Sequence, residues 1–141
     1  MTVVLIDDQA LGAVLRGEPP PVLTERSLAT TGCWYVRLCQ AVLSAVGRAG
    51  VLSGPFEHLP EARRRQAIDA LIELPADVGL VSLRQLGPAI GRLRDRHSLN
   101  LLAGEAVAAA NYLDADVFLS APSPNLERAL VAEGHTWTRL S

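Results

Sequence analysis

Apolar residues along this chain follow two rhythms. Short, nearly unbroken runs over residues 2–6, 78–83 and 116–120 read as strands buried on both faces, since neither face alternates with polar positions. Between them, apolar residues recur at helical spacing. Tyr35, Leu38, Cys39, Val42, Leu43 and Val46 stand at offsets of 0, 3, 4, 7, 8 and 11, a period no strand produces. Further helices are predicted from Ala10 to Arg16 and from Glu61 to Leu74, the latter burying Ile68, Leu71 and Ile72. Another is marked by Leu86, Ile90, Leu93 and His97, and others run from Leu101 to Leu113 and from Pro124 to Ala132.

Punctuation sets the limits of these elements. Gly17 and Pro19 to Pro21 stop the first helix, Pro75 stops the one before the second apolar run, and Gly134 closes the last. Ser123 and Pro124 supply a cap and a first-turn proline. Gly50 to Pro60 reads as loop, and His135 to Leu140 as a short strand at the sheet edge. Strands separated by helices require right-handed crossovers, which gives one domain over residues 1–141. It is an α/β fold, a three-layer parallel sheet with helices on both faces. Ligands of such sheets bind beyond the carboxyl ends of the strands.

Composition narrows the chemistry. The chain has 141 residues and a net charge of -2, so no global positive field draws nucleic acid to it. All 13 basic residues are arginine, which excludes mechanisms built on a catalytic amine or a phosphate-loop lysine. No apolar run approaches the roughly 18 residues of a membrane span and no leader is visible, so a cytoplasmic location is expected. Cys33 and Cys39 stand six residues apart on one predicted helix, a rise of roughly 9 Å that no disulfide bridges.

The first apolar run ends in Asp7 and Asp8, Glu105 is the single acid of the apolar helix from Leu101, and Ser120 ends the late strand. This layout resembles the PIN domain family, including its bacterial ribonuclease toxins. The resemblance implies a carboxyl-end cleft in which acids hold Mg or Mn for cleavage of RNA. A hard divalent cation takes carboxylate oxygens and waters, lowers the pKa of a bound water and neutralises the scissile phosphate. Carried over residue by residue, Asp7 and Glu105 become the catalytic acids, and Asp7, Asp8, Glu105 and Ser120 the metal ligands. The family's second acid is absent from Cys33 to Gln40, where Arg37 stands instead, and its fourth is absent from Ala121-Pro122-Ser123. With its acids at two of four places, the chain is read as a PIN-like module that binds protein or RNA with weak or no nuclease activity. The alternative is an active Mg- or Mn-dependent endoribonuclease, the toxin of a toxin–antitoxin pair.

Two bland readings stand beside these. A lone acid at the end of a first strand often caps the next helix, and an Arg run is usually a wet helix face. Arg63, Arg64 and Arg65 are nonetheless the candidate nucleic-acid contacts. An acidic pair after a first strand also resembles a response-regulator receiver, but that fold needs an Asp in the Gly50 to Pro60 region and a late Lys, and the chain has neither. Trp34 lies off the Tyr35, Leu38, Cys39, Val42 stripe. The expectation is therefore a second, exposed face on the helix from Thr31 to Val46, with Trp34 and Arg37 at the centre of a homodimer contact. By the same resemblance a small antitoxin-like protein is a further expected partner, with no membrane association.

Overall fold

The computed structural model describes residues 2–44 and 50–140. Within them a five-stranded, all-parallel sheet runs in the order β3-β2-β1-β4-β5. The strands are β1 (Val3–Ile6), β2 (Ser27–Thr30), β3 (Val78–Leu80), β4 (Asp116–Leu119) and β5 (Trp137–Arg139). The helices are α1 (Asp8–Leu15), α2 (Gly32–Leu43), α3 (Gly54–Glu57), α4 (Glu61–Ile72), α5 (Leu83–His97), α6 (Leu101–Leu113) and α7 (Pro124–Ala132).

Alternation along each strand explains the three layers. Val4, Ile6 and Phe118 point to one face and pack with Leu11, Leu38, Phe56 and Leu71 from α1 to α4. Leu5, Val117 and Leu119 point to the other and pack with Ile90, Val107 and Leu130 from α5 to α7. The chain moves outward through β2 and β3 with helices on the first face, then returns past β1 to β4 and β5 with helices on the second. Right-handed crossovers demand that change of face. The reversal lies between β1 and β4, and the carboxyl ends of those two strands therefore frame a crevice.

Several sequence expectations need correction. Ser27–Thr30 is a strand inside what reads as loop, because Ser-Leu-Ala-Thr is too short and polar-ended to show an apolar run. The hydroxyl of buried Thr30 donates to the Ile6 carbonyl at 2.9 Å, stitching β2 to β1. The second apolar run stops pairing at Leu80, because Ser82 caps α5 and turns Leu83 into its first residue. A short helix, α3, interrupts the loop after Gly50 and buries Phe56. α4 buries Ala67 and Leu71, four residues apart, whereas Ile72, one position past that stripe, is 57% exposed. Val46 lies outside the described residues.

The largest revision concerns α2. Thr31 accepts the Trp34 amide at 3.2 Å and starts the helix so that Trp34 and Leu38, one turn apart, are the buried pair. Trp34 is 3% exposed and packs in the α6-side core, while Leu43 is exposed. The indole is thus no surface anchor, and the homodimer contact expected at Trp34 loses the residue that motivated it. Val36 and Arg37 do remain on the open face.

Candidate functional site

Asp7 follows β1 at the crevice and caps α1. Its Oδ1 accepts the Ala10 amide at 3.0 Å, satisfying one of the donors a helix start leaves unpaired. Its Oδ2 accepts the Ser120 amide at 2.6 Å, which ties the ends of β1 and β4 together across the topological reversal. The side chain is buried, and both oxygens are committed to backbone. Ser120 joins Asp7 through this amide.

Asp8, the first residue of α1, is also buried. Its Oδ1 accepts the adjacent Gln9 amide at 2.8 Å. Its Oδ2 is enclosed, accepts no hydrogen bond, and faces Arg37 Nε at 3.5 Å. Burial pushes the Asp8 carboxyl above its ordinary value and neighbouring Asp7 adds to the rise, while Arg37 and the Gln9 amide pull it back. Arg37, from the open face of α2, acts as a cation built into the protein.

Glu105 is fully buried on α6 and reaches the carboxyl end of β2, not the crevice at β1. There its Oε1 accepts the Cys33 amide at 2.7 Å and its Oε2 the Gly32 amide at 3.2 Å. A carboxylate from one helix thus caps the start of another, where the α2 dipole favours negative charge. Residue 32 leaves room for it, since a Cβ there would come within 3.1 Å of Oε2. Burial, with the same carboxyl adding to it, pushes the Cys33 thiol up to about 11, which disfavours the thiolate. Cys33 and Cys39 are both free and half-buried.

Asp7 and Asp8 therefore share a cleft of about 320 Å³ with Gln9, Trp34, Arg37, Leu102, Pro122 and Ser123, and Glu105 lies outside its lining. Magnesium or manganese needs several hard oxygens free to converge in octahedral geometry. Asp7 and Glu105 spend all four oxygens on amides, and Arg37 stands where a cation would pair with Asp8. Among the described residues no group of three or more His, Cys, Asp or Glu side chains is placed to hold a metal ion. The donor set does not fit the metal that the PIN resemblance implies.

Arg63, Arg64 and Arg65 stand away from this cleft. Arg63 donates to the Arg16 carbonyl at 3.2 Å, and Arg65 pairs with Glu61 one turn away at 3.4 Å. Arg64 reaches the Glu57 carbonyl at 3.5 Å.

A polar cluster that sequence reasoning missed sits where α7 ends and β5 begins. Glu133 accepts from Arg96 at 3.0 Å and from Asn111 at 3.2 Å, and its Oε2 lies 2.9 Å from His97 Nε2. His135 bonds Asn111 in turn. Contact with His97 leads the influences that lower the Glu133 carboxyl below its ordinary value. No sequence signal joins these residues, which come from α5, α6 and the turn between α7 and β5.

No protein-family model matches the chain, and no curated protein does either.

Proposed function

We propose that the chain is a PIN-like binding module in which the acids of a nuclease cleft have become structural. One observation carries this reading: the carboxyls assigned to catalysis, Asp7 and Glu105, each accept two backbone amides, so every one of their oxygens is already held by the fold and metal would have to compete with those bonds. Arg37 supports it further, since a guanidinium beside Asp8 supplies the positive charge that a divalent ion would otherwise bring. Without metal, the carboxylates alone supply no activated water for attack on a phosphate.

A protein partner suits the exposed surface better than RNA does. The three adjacent arginines are tied to local acceptors, whereas large apolar side chains stay uncovered near the cleft.

Calorimetric titration with Mg and Mn, paired with cleavage of labelled single-stranded RNA, tests the reading. The expected result is no saturable metal binding and no cleavage above that of Asp8→Asn, a substitution that preserves shape. Saturable binding with RNA cleavage that Asp8→Asn abolishes would restore the endoribonuclease.

A further inference from the structure

An apolar groove of about 510 Å³ opens at the carboxyl end of the sheet, beside the cleft and distinct from it. Its walls are the open face of α2 and the first turns of α5 and α6. Val36 is 54% exposed, Leu83 57% and Leu101 50%, and Leu102 and Cys33 lie half-buried between them. Val36, Leu83 and Leu101 belong to neither core, whereas Leu102 packs against the core on the α5–α7 face. The groove meets the cleft at Arg37 and Leu102, which line both.

Charge selects the occupant. Arg37 is the one charged residue among the described lining, and Arg84, also exposed, follows Leu83 directly. The nearby acids are withdrawn: Glu105 is buried against the Gly32 and Cys33 amides, and Asp8 lies behind Arg37. The amino ends of α5 and α6 add the positive ends of two helix dipoles. Accessible charge around the groove is therefore positive, and its floor is apolar. A second copy of this chain is a poor occupant, since an isologous contact sets this face against itself and its lining holds no acid to meet Arg37. Nucleic acid is also disfavoured, because phosphate contacts need a row of cations and this floor offers aliphatic carbon.

We infer that this groove docks an acidic amphipathic segment of a partner protein, whose apolar side chains cover Val36, Leu83 and Leu101 while its carboxylates meet Arg37 and Arg84. The inference rests on the reading of the domain as a binding module and names the chemistry of the partner. Helix-in-groove recognition works in this way, with anchors spaced a turn apart and a charged rim that sets orientation.

Methyl-resolved NMR of the full chain can test it with a synthetic amphipathic peptide of about 20 residues built from Leu and Glu, long enough to form helix. The expected result is saturable shifts at Val36, Leu83 and Leu101, and at least tenfold weaker binding of the same peptide with Lys in place of Glu. Leu101→Glu, at an exposed first-turn position where an acid suits the helix, should remove binding and leave thermal unfolding unchanged. Absence of shifts with the Leu–Glu peptide, or equal binding of the Lys version, would overturn the inference. So would shifts of the same methyls on raising protein concentration alone, or on adding an oligouridylate. None of these readouts involves metal or cleavage, so a failed groove and a restored nuclease are separate results.

Discussion

Two carboxyls, Glu105 and Glu133, sit toward opposite ends of the same sheet and are held by different kinds of partner. Glu105 is fully buried and is held by two main-chain amides of the α2 start. Glu133, at the end of α7, is held by the side chains of Arg96, His97 and Asn111. Amides cannot turn away, and once buried they depend on their acceptor; side chains near the surface can rotate out to water. The first arrangement is a joint of the fold and the second an adjustable clasp. This difference makes Glu105 part of the fold's framework and leaves Glu133 exchangeable with water.

The contrast predicts an order of effects. Glu105→Ala strands two amides and leaves a cavity in the packed α2–α6 contact. The expected loss is about 4 kcal/mol of unfolding free energy in denaturant titrations, combining the cost of unsatisfied donors with that of the void. A loss below about 1 kcal/mol would mean that water replaces the carboxylate and that Glu105 is no joint. Asp7→Asn comes next. An amide group accepts at one atom only, so either the Ala10 or the Ser120 amide faces another donor, at an expected cost of about 2 kcal/mol.

Glu133→Gln should cost less, under about 1 kcal/mol near neutral pH, because its partners can be rehydrated. Its signature lies in the pH dependence. The folded carboxyl is lowered from its ordinary value of 4.5, so its stabilising contribution is present above that value and is lost as pH falls through the folded one. Thermal unfolding of Glu133→Gln should therefore decline less steeply in acid than that of the wild type. An unchanged slope would break the clasp.

Asp8 supplies the smallest effect, with the opposite sign. Its folded carboxyl is raised from 3.8 chiefly by burial, so its contribution is greatest below that value and fades as pH rises through the folded one. Asp8→Asn removes this term. Melting curves of the variant should match or slightly exceed the wild type near neutral pH and lose that rising-pH decline. A marked loss of stability at neutral pH would instead make the contact with Arg37 a stabilising one.

Much of the fold was legible from the chain. Leu101 to Leu113, the helix from Pro124 and the apolar runs at β1 and β4 are where periodicity and punctuation place them, although the Ser123 side chain makes no cap hydrogen bond and its amide donates to Glu127 instead. These signals are local: an apolar run buried on both sides and a helix stripe are each visible within one segment. β2 was not legible, because four residues ending in Ser and Thr become a strand only when β1 and β3 pair on either side. Trp34 misled for a related reason, since the cap at Thr31 and the position of α6 set which face of α2 turns inward.

The candidate site divides along the same line. The sequence by itself determined which acids stand at strand and helix ends, that no lysine is present, and that α2 carries Arg37 and no acid. Only the tertiary structure decided that Glu105 turns to Gly32 and Cys33 while Asp7 spans from Ala10 to Ser120. The partners of a buried carboxyl are whichever donors the packing brings within about 3 Å, and donors far away in sequence leave no trace in the local pattern.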